Sequence, residues 1–138
     1  MRPEGRARVL VADDHRQLLE RVVKTLAREF SVVGTVTDGA QLVAAEAALH
    51  PDVVVADLCM PLMSGLEAAV RIRRGGSLVP VVCLTASDQD GMVEAAWEAG
   101  ALGYVTKGSM AADLVPAVRA ALEGRRFASQ APPPRPAR

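Results

Sequence analysis

Four short apolar runs in this chain each end on a residue able to do chemistry. Asp13-Asp14 follows Val9-Leu10-Val11-Ala12, and Asp57 follows Val53-Val54-Val55-Ala56. Thr85 follows Val81-Val82-Cys83-Leu84, and Lys107 follows Tyr104-Val105-Thr106. Brought together, three carboxylates repel one another, and their pKa values rise unless a cation intervenes. An all-oxygen acidic site open to water suits a hard divalent ion, Mg²⁺ before Ca²⁺. Mg²⁺ keeps several waters and so leaves room for a phosphoryl group. Lys107 then serves as a compact positive charge for that group, and the Thr85 hydroxyl can donate to one of its oxygens. Asp57 is the nucleophile that could form an acyl phosphate. Phosphoryl transfer asks mainly for positioning and charge neutralisation, which this set supplies.

Each residue alone has an ordinary reading. Asp14 suits a helix N-cap, Asp57 a turn before Pro61, Lys107 a solvated surface and Thr85 a strand interior. What marks a site is their ordered recurrence at the ends of the first, third, fourth and fifth strands.

That recurrence requires elements whose ends meet. Strands are predicted over residues 7–12, 31–36, 52–56, 79–84 and 102–106, alternating with stretches of helical period. Leu18, Leu19, Val22, Val23 and Leu26 mark the first helix, with Asp14 and Gln17 as its capping box. Asp38 with Gln41 opens the second, an Ala-rich helix ending near His50-Pro51, and Ser64 with Glu67 opens the third, which stops at Gly75-Gly76. A fourth is predicted over 88–99 and a fifth over 113–123, closed by Gly100 and Gly124. Asp113 as N-cap places Pro116 harmlessly in the first turn; a helix starting earlier would be kinked there.

The run 52–56 does not alternate, so both its faces should be buried, as in a parallel sheet. Five β-α units predict an α/β, flavodoxin-like (βα)5 three-layer sandwich with a parallel five-stranded sheet in the order 2-1-3-4-5. Ligands of such sheets bind outside the carboxyl ends of the strands, where the four sites above would converge. An FMN site of the flavodoxin type fits poorly, because Asp13-Asp14-His15 repels phosphate where a Ser/Thr-rich loop is needed. The acids after strand one are adjacent, against the D-x-D spacing of haloacid-dehalogenase-type phosphatases. No G-x-x-x-x-G-K-[ST] run is present for a P-loop.

These motifs resemble the receiver domain of bacterial two-component response regulators, in particular the LuxR/NarL-type subgroup. Val11-Ala12-Asp13-Asp14-His15 is similar to the family's acidic pair. Asp57-Leu58-Cys59-Met60-Pro61-Leu62-Met63-Ser64-Gly65 is similar to its phosphoacceptor loop, D-x-x-M-P-x-M-[DSN]-G. Leu84-Thr85-Ala86 and the stretch 99–107 resemble the signatures of strands four and five, so the resemblance covers roughly residues 7–127. It implies that Asp57 accepts a phosphoryl group from the phosphohistidine of a sensor histidine kinase. It implies that Asp14, Asp57 and the backbone carbonyl of Cys59 ligate Mg²⁺, with Asp13 acting largely through water. Thr85 and Tyr104 would be a switch pair: the hydroxyl moves to the phosphoryl and the aromatic ring turns inward. The surface that changes, and through which a phosphorylation-dependent homodimer would form, is helix four, strand five and helix five. The resemblance further implies a signalling domain that catalyses only its own phosphorylation and dephosphorylation. Where the family often has Lys-Pro, this chain has Lys107-Gly108, so a cis peptide there would lack proline's help and cost about 2.5–4 kcal/mol.

Composition agrees with a single module. The chain has 138 residues, half of them hydrophobic, and only four aromatics, Phe30, Trp97, Tyr104 and Phe127. Residues 1–124 carry sixteen acids against twelve bases, so bulk charge argues against nucleic-acid binding. Cys59 and Cys83 lie in no zinc-binding spacing and are expected as free thiols, in a cytoplasmic setting. No apolar stretch approaches the roughly 20 residues of a membrane span. Residues 1–128 are read as the receiver and 129–138, rich in Pro and Arg, as a linker or tail. The receiver could stand alone or precede the DNA-binding domain of a LuxR-type regulator. On helix four, Met92, Ala96 and Ala99 fit the buried face, which leaves Trp97 at its margin.

Overall fold

The run Val53–Asp57 is buried at all five positions, as its unbroken apolar character requires of a strand covered on both faces. The computed structural model describes residues 5–86 and 92–129. In chain order the elements are β1 (Arg8–Ala12), α1 (Arg16–Ala27), β2 (Ser31–Val36), α2 (Gly39–Leu49), β3 (Val53–Asp57), α3 (Gly65–Arg74), β4 (Val81–Thr85), α4 (Met92–Glu98), β5 (Gly103–Thr106), α5 (Met110–Leu122) and β6 (Phe127–Ala128). A 3₁₀ turn, Lys107–Ser109, joins β5 to α5.

All pairings are parallel, and the sheet order is β2-β1-β3-β4-β5-β6. The predicted order is thus present, with a correction: the sheet has six strands where five were expected. Phe127 and Ala128 pair with Gly103 and Tyr104 along the outer edge of β5. Ser129, the first residue assigned to the tail, is only 7% exposed, so the folded unit extends past 128.

Side-chain alternation along the strands sorts the core into two layers. Val9, Val11, Val53, Val55, Val82, Leu84 and Val105 meet Val22 and Leu26 of α1 and Leu114, Ala117, Val118 and Ala121 of α5. Leu10, Ala12, Val54, Ala56, Val81, Cys83 and Tyr104 meet Leu42 of α2, Ala68 and Ile72 of α3 and Ala96 of α4. Small side chains on these helices let them lie close to the sheet, which compensates for the scarcity of aromatics.

Two of the three expected capping pairs are present. Asp38 accepts from the Gln41 amide at 2.8 Å, and Ser64 from the Glu67 amide at 3.1 Å. The third is not. The N-cap of α1 is His15, without a side-chain bond, so Asp14 does not cap this helix. Asp13 turns the chain there instead, its Oδ1 accepting from the His15 amide at 2.8 Å.

The start of α5 also differs from expectation. The helix begins at Met110, so Asp113 is not the N-cap and Pro116 is an interior residue. Having no N–H, Pro116 leaves the Ala112 carbonyl without its intrahelical donor. The side chains of Pro116 and Ala112 both face solvent, where water can take that role. All described peptide bonds are trans, including Lys107-Gly108. Residues 88–91 of the predicted fourth helix lie outside the described residues. Among the described residues no helix is long and apolar enough to cross a membrane.

Candidate functional site

Parallel β3 beside β1 and β4 carries Asp57 to the carboxyl edge of the sheet, one position short of Thr85 in register. Asp57 is 1% exposed and both its oxygens are engaged. Oδ1 accepts from the Cys59 amide at 3.0 Å, and Oδ2 faces the Lys107 ammonium at 3.0 Å. Asp57 and Lys107 are 50 positions apart in sequence, and the placement of β3 and β5 on either side of β4 closes that gap. The Lys107 side chain keeps about a fifth of its surface exposed, so the pair is reached from solvent on the lysine side.

Asp13, at the end of β1, is fully buried. Its Oδ2 has no hydrogen-bond partner among the described residues. Burial pushes its carboxyl above the ordinary carboxylate range. The His15 amide and Lys107 oppose this rise, while the nearby Asp57 and Asp14 charges add to it. Ligand atoms of Asp13, Asp14, His15 and Asp57 all lie within 4.8 Å of one another. A buried carboxylate oxygen without a partner, beside two further carboxylates, is what a hard cation would complete. The acids present therefore fit a divalent metal.

The remaining expected residues fall around this centre. Thr85 ends β4 at 7% exposure and pairs in register with Thr106 on β5. Tyr104 is 1% exposed and packs into the core layer beneath α3 and α4, so its ring already lies inward. Cys59 is exposed in the loop directly after Asp57, and Cys83 is buried in β4; both are free thiols.

His15 joins the acid cluster although it had no assigned role. Its Nδ1 lies 3.4 Å from Asp14 and 3.8 Å from Asp13. The available signal was its place directly after the acid pair.

The loop after Asp57 is closely fitted. The Leu58 amide donates to the Leu84 carbonyl at 2.9 Å, and the Gly65 amide donates back to the Leu58 carbonyl at 3.2 Å. A Cβ on Gly65 would stand 2.2 Å from the Asp57 carbonyl oxygen, so only glycine lets α3 start this close to the end of β3. Between them, Leu62 adopts φ +69° and is 86% exposed.

The family model for the response regulator receiver domain matches residues 9–119. Among curated proteins, the chain is 36% identical over 124 residues to the response regulator GacA of Pseudomonas viridiflava, covering 88% of this chain and 58% of that protein. It is 38% identical over 119 residues to the transcriptional regulatory protein LiaR of Bacillus subtilis, covering 85% of this chain and 56% of that one. The chain therefore spans somewhat more than half the length of these relatives. Among solved structures it is similar to a two-component response regulator of the LuxR family from Aurantimonas sp. SI85-9A1, with TM-score 0.85, 34% identity and 89% of each chain covered. It is also similar to the isolated receiver domain of RcsB from Salmonella enterica, with TM-score 0.82, 26% identity and coverage of 91% of this chain and 95% of that one.

Proposed function

The chain belongs to the response regulator receiver domains of two-component systems, and we propose that Asp57 is its phosphoacceptor. The observation that carries this reading is the setting of Asp57. It is buried at the end of the central strand, held by the Lys107 ammonium and the Cys59 amide, beside the Asp13 oxygen that has no hydrogen-bond partner among the described residues.

In the proposed transfer, an Asp57 carboxylate oxygen forms a bond to phosphorus as the phosphorus–nitrogen bond of a histidine kinase's phosphohistidine breaks. The bonding pair stays on the imidazole. Lys107 neutralises charge on the phosphoryl oxygens, and the Thr85 hydroxyl donates to one of them. Mg²⁺ held by Asp14, Asp57 and the Cys59 carbonyl, with Asp13 acting through water, would neutralise further phosphoryl charge. A Thr85 hydroxyl drawn to the phosphoryl would favour the inward ring of Tyr104, a two-state element biased by new charge. The proposed setting is cytoplasmic, with α4, β5 and α5 as the surface that self-associates on phosphorylation.

The test is intact mass after incubation with acetyl phosphate and Mg²⁺. The unaltered chain should gain one phosphoryl mass and Asp57→Asn none; undiminished labelling of the variant would remove Asp57 from this role.

A second reading is favoured by length. Because the chain covers 58% of GacA and 56% of LiaR, it can be the receiver part of a LuxR-type DNA-binding regulator. Translating the reading frame beyond residue 138 and seeking a helix-turn-helix domain tests this.

A further inference from the structure

Ser129 directly follows β6, and three hydrogen bonds fix it there. Its amide donates to the Tyr104 carbonyl at 2.8 Å. Its hydroxyl accepts from the Thr106 amide at 3.1 Å and donates to Asp113 Oδ2 at 2.8 Å. The single hydroxyl proton is thereby committed to α5, which turns a lone pair toward β5. The two-residue β6 pairs only with Gly103 and Tyr104. Thr106 lies beyond its reach, and the Ser129 hydroxyl takes the place of a strand partner for the Thr106 amide.

Thr106 directly precedes Lys107, whose ammonium faces Asp57 at 3.0 Å. The 3₁₀ turn begins at Lys107, so the backbone changes direction at this joint. A fixed Thr106 amide sets the direction from which the lysine side chain leaves.

We propose that Ser129 is a positioning residue for phosphoryl transfer: by holding the Thr106–Lys107 backbone it aims the Lys107 ammonium at Asp57. The inference rests on the reading of Asp57 as phosphoacceptor. It also makes the segment after α5, residues 125–129, part of the site's support. That segment has other anchors. The Arg125 amide donates to the Ala120 carbonyl at 2.8 Å, and the Phe127 amide to the Leu102 carbonyl at 2.9 Å. The Arg126 guanidinium lies 5.0 Å from the centroid of the Trp97 ring on α4. Loss of the hydroxyl alone should therefore leave the segment docked.

The experiment uses the full chain with acetyl phosphate and Mg²⁺. Ser129→Ala should slow labelling several-fold, and Ser129→Thr, which keeps the hydroxyl, should restore it. In a Lys107→Ala background, followed over longer incubation, Ser129→Ala should have no further effect, because the two residues then act on one path. A merely structural role would persist in that background. Labelling of Ser129→Ala at the unaltered rate, or an equal loss with and without Lys107, overturns the proposal. Hydrogen exchange without phosphodonor supplies a second reading: the Thr106 and Lys107 amides should lose protection in Ser129→Ala, and unchanged protection also overturns it. If the unaltered chain takes no label while those amides respond, the phosphoacceptor reading fails and the backbone positioning stands.

Discussion

Asp13 carries a charge that the surrounding protein does not fully balance. Burial and the neighbouring carboxylates disfavour its ionised form, and one of its oxygens has no partner among the described residues. Asp13→Asn should therefore raise stability in the presence of a chelator by about 1–3 kcal/mol, the order of an uncompensated buried polar group. The amide keeps an oxygen for the His15 N–H and can turn its own donor toward the remaining carboxylates. The same variant should bind Mg²⁺ roughly 10–100-fold more weakly, as for loss of an outer-shell partner. Urea unfolding with chelator and a Mg²⁺ titration check both; lower stability in the variant would mean that Asp13 is satisfied as it stands. Cys83 offers a pH test at some distance from the site. Burial pushes its thiol up to about 12, against 9.0 for a free thiol. The unfolded chain therefore releases this proton first, and the thiol's contribution to stability falls as pH rises from 9.0 to about 12. The slope attributable to Cys83 approaches about 1.4 kcal/mol per pH unit. Denaturation of Cys83→Ala and the unaltered chain across that window should show a shallower slope for the variant, from a lower starting stability.

The elements that hold the site depend on close backbone approaches as well as on side chains. α3 begins against the end of β3 because Gly65 has no Cβ to meet the Asp57 carbonyl. Gly65→Ala should push the helix or the strand end aside. It should cost about 1–3 kcal/mol, as overpacking does, and slow phosphorylation by displacing Asp57. Chemical denaturation and labelling rate measure the two effects; a variant with both unchanged would show that α3 withdraws freely. On the opposite side, α5 tolerates Pro116 because that turn faces solvent, and its buried positions Leu114, Ala117, Val118 and Ala121 keep their spacing against the sheet.

For the molecule as a whole, the informative surface is the one where α4, β5, α5 and the last strand meet. Trp97 is partly buried against the core, with Arg126 over its ring. The ring thus covers the core margin and also faces the segment between α5 and β6. A partly exposed Trp paired with an Arg is a common composition for a contact surface. Under the proposed function, beryllofluoride with Mg²⁺ should promote self-association and change Trp97 fluorescence. Trp97→Ala should weaken that association more than it lowers phosphorylation. Sedimentation of both proteins with and without beryllofluoride decides this; identical behaviour would confine Trp97 to the core margin.

Much of this architecture was legible in the amino-acid order, because a parallel sheet covered on both faces demands unbroken apolar runs. Asp13, Asp14, Asp57, Thr85 and Lys107 could be singled out because the chemistry of such a fold collects where those runs stop. Local pattern could not reveal contacts that depend on strand register and distant partners. β6 is two residues long and has no period to read. Ser129 looks like the start of a polar tail until the β5 edge brings Thr106 and Asp113 to its hydroxyl. Asp113 looked like a helix cap, yet its carboxylate serves Ser129 while α5 begins at Met110. Asp14 looked like a cap as well, but packing of β1 beside β3 draws it into the acid cluster, and Asp13 turns the chain. Residue type and spacing thus set which strands form and what their ends can do. Which donor meets which acceptor was settled only when the strands took their order, since a hydrogen bond depends on distance in space and carries no signature along the chain.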